Sequence, residues 1–129
     1  MAIRIVRLGT PRREGEGTRI GAVRRPPRGV RKECYAAENW FDVWFPDLAP
    51  SADLVTQARA ARTEEEWSAF MRAYRREMGE ATPSRMLDLL AALSRDATFS
   101  VGCYCENEAR CHRSVLRELL SARGAEIAA

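Results

Sequence analysis

Apolar and charged positions alternate at the start of the chain. Ile3 and Ile5, then Val6 and Leu8, stand among arginines over Ala2–Leu8, the pattern of a short strand. Gly9, Pro11, Gly15 and Gly17 punctuate the polar run that follows and predict a loop over Gly9–Thr18. Ile20, Ala22 and Val23 predict a second strand within Arg19–Arg25, stopped at Pro26-Pro27 because proline gives no donor to a ladder. Glu38–Phe45, dense in aromatic residues, reads as extended up to Pro46.

From there the period changes to that of a helix. Ser51 is a plausible cap for a helix over Ser51–Ala61. Thr63-Glu64-Glu65-Glu66 has the form of a capping box, and Trp67, Phe70, Met71, Tyr74 and Met78 recur behind it until Gly79 closes the helix. That stripe is core and not a cofactor box. Thr82-Pro83 predicts the next helix as N-cap and first-turn proline, with Met86, Leu87, Leu90 and Leu93 on its buried face. Ala97–Gly102 is a compact apolar segment with the character of a central strand. A last helix begins at Cys111 or His112, carries Val115, Leu116, Leu119 and Leu120, and stops at Gly124; Ala125–Ile127 adds a short edge strand. Strands alternating with helices predict an α/β fold: one domain over 1–129, a mostly parallel sheet flanked by helices in Rossmann-like layers.

Composition leaves that picture intact and adds a charge asymmetry. The 129 residues suffice for one core, and 46% hydrophobic content argues against disorder. No stretch approaches the roughly 18 apolar residues of a membrane span, so no membrane partner is expected. The first residues are too charged for a signal peptide, and the four cysteines accordingly read as thiols or ligands in a cytoplasmic protein. Net charge is +3, yet residues 1–32 alone carry ten basic groups against Glu14 and Glu16. Such a segment is able to meet phosphates, which keeps a nucleic-acid-associated role open. No aromatic residue interleaves its arginines as a single-strand platform requires.

The candidate chemistry is concentrated in one place. Cys103-Tyr104-Cys105, five residues, then Cys111-His112-Arg113 put three of the four cysteines and the only histidine within ten consecutive positions. The segment runs from a strand into a helix, where unpaired amides favour an anion and stabilise a thiolate. In an enzyme, His112 is the candidate acid or base, Cys111 the candidate nucleophile, and Arg28 and Arg113 the charge stabilisers. Cys103, Cys105, Cys111 and His112 are also zinc ligand types, although Cys-x-Cys and an adjacent Cys-His depart from common zinc spacing. Redox chemistry by the thiols is a further reading, and Cys103 by itself is equally a small core residue. Arg24 and Arg28-Gly29 form a second, weaker constellation: Gly29 permits a tight turn, and an arginine on a strand-ending loop suits an anion. Cys34, isolated, reads as a packed thiol.

Four ordered motifs carry a family likeness: Pro27-Arg28-Gly29; Asp47-Leu48-Ala49-Pro50-Ser51; Trp67, Phe70, Tyr74-Arg75 and Glu77; and Cys103 through Cys111-His112-Arg113-Ser114-Val115-Leu116. From about Ile5 to Leu120 the chain resembles the YeaO-like members of the domain-of-unknown-function family 488. The resemblance implies a small bacterial cytoplasmic α/β protein of no established activity. Where that family has Asp-Arg-Leu-Trp before Pro-Arg-Gly, this chain has Val23-Arg24-Arg25-Pro26. Other members carry Asn-His in place of Cys-His. The likeness therefore moves weight from zinc toward a pocket for an anionic or phosphate-bearing small ligand, built from Arg24, Arg28, Gly29, His112 and Arg113.

Overall fold

The computed structural model describes residues 1–128. Its four strands are β1 (Ile3–Arg7), β2 (Thr18–Gly21), β3 (Val43–Trp44) and β4 (Phe99–Cys103). They form a single all-parallel sheet in the order β1-β4-β2-β3. The last strand in sequence is thus an inner one, as the uninterrupted burial of Phe99–Cys103 requires. Helices α1 (Ala52–Ala60), α2 (Glu64–Met78) and α3 (Ala81–Leu93) connect β3 to β4, and α4 (His112–Ala122) follows β4. Past α4 the chain returns to the free edge of β1, where Ile127 makes a single parallel bridge to Ile3 in place of the edge strand expected over Ala125–Ile127.

The α/β arrangement expected from the sequence is present, with an asymmetry between the two faces of the sheet. Ile3, Phe99 and Val101 pack in one core with Leu54 of α1, Phe70 and Tyr74 of α2, Leu87 of α3 and Leu116 of α4. All four helices therefore feed the same core. On the other face the register aligns Arg4, Ser100 and Arg19, and next to them Val6, Gly102 and Gly21. Irregular chain covers this side, with Leu8, Val23 and Phe41 buried together. Gly21 and Gly102 make the close approach feasible. A Cβ on Gly21 would stand 2.4 Å from the Phe41 ring, and one on Gly102 2.7 Å from the Val6 carbonyl oxygen.

A buried ion pair closes this face. Arg19 is fully buried and Glu16 is 2% exposed. Arg19 Nε and Nη2 donate to the two Glu16 carboxylate oxygens at 2.8 and 3.0 Å, while Nη1 donates to the Thr10 and Asn39 carbonyls. The Ser100 hydroxyl donates to Glu16 as well, at 2.8 Å. Burial alone would raise the Glu16 pKa. Its bonds from Arg19, Ser100 and the Arg13 amide prevail and bring it down to about 2.

Several boundaries differ from the sequence reading. The second strand is Thr18–Gly21 and not Arg19–Arg25, because past Ala22 the chain leaves the sheet at the prolines. Within Glu38–Phe45 only Val43–Trp44 pairs, and a turn through Asn39 at φ 64° occupies the rest. Helix α3 starts at Ala81 with Glu80 as its uncapped N-cap, so Pro83 lies in the first turn, where an amide is not needed for the helical ladder. Leu93, expected on the buried face, is 43% exposed. The capping box of α2 and the Ser51 cap of α1 form as expected.

Candidate functional site

Strand β4 delivers Cys103 to the C-terminal end of the sheet between β1 and β2. The loop then carries Tyr104 and Cys105 outward, makes a short 3-10 turn at Glu108–Arg110, and re-enters at Cys111, the N-cap of α4. Ties to the helices hold this loop in place. Arg113 Nη2 donates to the Cys105 carbonyl at 2.7 Å, Arg117 forks onto Glu108, and Arg110 pairs with Glu64 and lies over the Trp67 ring. A strand-to-helix turn was legible in the sequence. The convergence of its cysteines was not, since five residues of loop separate Cys105 from Cys111.

Cysteine is an uncommon N-cap. The Cys111 sulfur accepts from the Arg113 amide at 3.5 Å and lies 3.7 Å from His112 Nδ1. On the far side of the ring, His112 Nε2 is 2.7 Å from the Ala22 carbonyl oxygen. A carbonyl only accepts, so Nε2 carries the proton and Nδ1 presents its lone pair toward the thiol. The ring packs edge-on against Tyr74, whose hydroxyl donates to the Leu48 carbonyl. Burial lowers the His112 pKa against the opposing pull of the Ala22 carbonyl, which keeps the imidazole neutral.

The donor atoms of Cys103, Cys111 and His112 all lie within 4.8 Å of one another. Cys105 stands outside that mutual set but interacts with both buried thiols. Hydrogen bonds from Cys103 and Cys111, with the positive charge of Arg113 adding to them, lower its pKa strongly despite partial desolvation. The reverse holds for Cys103, which its bonds with Cys105 and Cys111 and its burial push well up. Cys111 is drawn down by Cys103, and the larger opposing effect of Cys105 and burial leaves it raised. Of the three sulfurs, exposed Cys105 is thus the one whose thiolate is favoured, and Cys103 and Cys111 lie buried beside His112. Arg113 is 4% exposed, with its Nε unpartnered.

The other candidates have partners of their own or none among the described residues. Arg24 donates to the carbonyls of Pro46, Ala49 and Pro50 and so ties the end of β2 to the start of α1. Arg28 is exposed and forms no hydrogen bond or ion pair among the described residues, and Gly29 takes the left-handed conformation at φ 72°. No hydrogen bond joins Arg24 or Arg28 to His112 among the described residues. Cys34 is a half-buried free thiol. Two groups that shape the site escaped the sequence reading: Tyr74, which the helical stripe marked only as core, and the Ala22 carbonyl, for which no sequence signal exists.

A parallel sheet whose inner strand ends in a cysteine-rich turn, with Cys-His-Arg opening the next helix, makes this a small α/β protein, a class in which ligands favour the carboxyl ends of the strands. Residues 3–124 match the model of a particular family, DUF488-N3a, described as the active DUF488-N3 subclade, and the chain belongs to that family. No curated protein and no solved structure matches the chain. Among the described residues no helix is long and apolar enough to cross a membrane.

Proposed function

We propose that the protein carries out thiol–disulfide chemistry at the β4–α4 turn, with Cys105 as the attacking thiolate. The single observation that carries this reading is the arrangement of the three sulfurs: Cys105 exposed on the loop, Cys103 and Cys111 buried, with the Cys111 sulfur 3.7 Å from His112 Nδ1. The lowered pKa of Cys105 supports it. The thiolate is the nucleophile in such exchange, so a lowered pKa on an exposed cysteine selects the attacking group. Burial of Cys111 suits it to the second step rather than the first.

The steps balance without a cofactor. Cys105 thiolate attacks one sulfur of a substrate disulfide; the S–S bond breaks, a mixed disulfide forms, and the departing sulfur leaves as a thiolate. Cys111 then gives its proton to His112 Nδ1 and attacks the Cys105 sulfur, expelling the second substrate thiolate. The protein is left with a Cys105–Cys111 disulfide and the substrate is reduced by two electrons. A dithiol reductant returns the protein to its starting state. Arg113 offsets the negative charge that accumulates on sulfur.

The test is alkylation and disulfide exchange followed by mass spectrometry from pH 5 to 9. Wild type is expected to react rapidly with iodoacetamide at pH 6 at one cysteine and to form an internal disulfide with hydroxyethyl disulfide. Cys105→Ser is expected to lose the fast phase, and Cys34→Ser to keep it. Reactivity that appears only near pH 9, or a fast phase that survives Cys105→Ser, would overturn the reading.

A second reading rests on the mutual approach of Cys103, Cys111 and His112 within 4.8 Å. With Nε2 committed to a backbone carbonyl, Nδ1 is oriented as a ligand, the usual outer partner of a metal-bound histidine. A thiophilic cation such as zinc would take these three donors and leave a fourth position open toward Cys105. Stoichiometric zinc by elemental analysis, with Cys103 and Cys111 protected from alkylation until a chelator is added, would favour it over thiol exchange.

A further inference from the structure

Along the free edge of β1, beyond the point where Ile127 pairs with Ile3, lies a cavity of about 280 Å³. Arg4, Arg7, Thr10, Arg13 and Arg117 line it, over the buried Glu16–Arg19 pair. Charge does not balance around it. Arg117 is neutralised by Glu108 and Arg19 by Glu16. The guanidinium groups of Arg4 and Arg13 have no hydrogen-bond or ion-pair partner among the described residues, and Arg7 reaches only a carbonyl, that of Tyr104 at 3.4 Å. Glu16, the one acid in the lining among the described residues, already accepts from Arg19, Ser100 and the Arg13 amide. Among the described residues, three guanidinium groups without an acidic partner share this lining, a concentration of positive charge that favours an anion.

The hollow is also held open in advance. Arg19 anchors the Gly9–Gly17 segment from beneath through the Thr10 carbonyl and Glu16, so the loop that presents Arg13 is fixed against the sheet. Arg4 and Arg7 belong to a strand paired along its whole length with β4. The backbone that carries these side chains is therefore already in place when a ligand binds, and only the side chains have to order.

We propose that this cavity is a binding site for a phosphate-bearing small molecule. The planar forks of arginine match phosphate oxygens in pairs, where lysines would offer only point charges. The volume sits at the lower end of small-ligand sites, roughly 300–1,000 Å³, and suits one small molecule. Its position ties it to the thiol turn: Arg7 is in register with Cys103, and its guanidinium touches the carbonyl of Tyr104, the residue between Cys103 and Cys105. A ligand bound there would meet Arg7, whose contact with the Tyr104 carbonyl is the link to the cysteine turn. Binding itself stands apart from the thiol–disulfide reading; that the bound molecule is the substrate rests on it.

Calorimetric titration with pyrophosphate at low ionic strength tests the site, on wild type, on Arg4→Gln/Arg13→Gln and on Cys105→Ser. The expected result is saturable 1:1 binding to wild type, weakened by about tenfold or more in the double arginine variant and unchanged in Cys105→Ser. Both arginines reach solvent, and the circular dichroism spectrum of the double variant is expected to match wild type. The milder Arg4→Lys, which keeps the charge, is expected to lose only part of the affinity. Absence of saturable binding to wild type, or undiminished binding in both arginine variants, would overturn the proposal. So would a single-stranded oligonucleotide that binds through Arg4 and Arg13 while pyrophosphate fails to compete. If pyrophosphate binds as expected but iodoacetamide shows no fast phase, the thiol reading fails and the phosphate site stands.

Discussion

At the scale of single residues, the least legible feature is Arg19. A lone arginine within an apolar run reads as an outward-facing strand residue, and charged side chains are almost never fully buried without a partner. The partner is Glu16, three positions away across a glycine-rich turn, and nothing in the hydrophobic pattern marks it. Its energetic consequence is specific. The Glu16 pKa falls from 4.5 to about 2 on folding, so the pair contributes stability above pH 4.5 that is lost as pH falls toward 2. At 1.36 kcal/mol per unit the contribution is about 3 kcal/mol, with little solvent screening at a side chain this buried. Glu16→Gln is expected to lose roughly 3–5 kcal/mol at pH 7, because Arg19 is left buried and unpaired. Urea titrations at pH 7 and pH 3 check both statements: the wild type loses stability between those values, and the variant loses less. An equal loss in the two proteins would assign the acid sensitivity to other carboxylates.

Single elements were read with uneven success, and the reasons are local. Helix α2 was legible from end to end because Thr63 and Glu66 satisfy each other's amides and every fourth or third residue behind them is apolar. Removing that cap by Thr63→Ala is expected to cost about 1 kcal/mol and to leave cysteine alkylation unchanged, since the cap lies at the exposed start of α2. Segment Glu38–Phe45 departs from a full strand because Trp40 and Phe41 pack on the loop side of the sheet before pairing begins at Val43, and Phe41 enters the space that Gly21 leaves open. Strand β4 was legible as central, but its need for glycine at 102 was not. A methyl group there meets the Val6 carbonyl at 2.7 Å and the Leu8 side chain at 2.8 Å. Gly102→Ala is expected to cost about 1–3 kcal/mol by overpacking and, one residue from Cys103, to slow the fast alkylation phase. The contrast between the two variants separates loss of stability from disturbance of the thiols.

At the scale of the whole molecule, the sequence carried the layer type and the position of the thiol turn, but not the one-sided placement of the helices. Periodicity states which face of a helix is buried and is silent on which face of the sheet receives it. Order of assembly is a consequence of that topology. β4 lies between β1 and β2, so β1, at residues 3–7, meets its main neighbour only when residues 99–103 arrive. Until then β1 and β2 have no common partner, and the core that α1, α2 and α3 share with Phe99, Val101 and Leu116 is missing its floor. Local helix propensity is a weak substitute, because helices of this length draw most of their stability from packing. A fragment comprising residues 1–97 is therefore expected to show reduced helical circular dichroism and no cooperative thermal transition. The full chain is expected to unfold in one step that also exposes Cys103 and Cys111 to alkylation. Cooperative melting of the fragment near the Tm of the full chain would show instead that α1–α3 form a core of their own, and that β4 docks onto a structure already made.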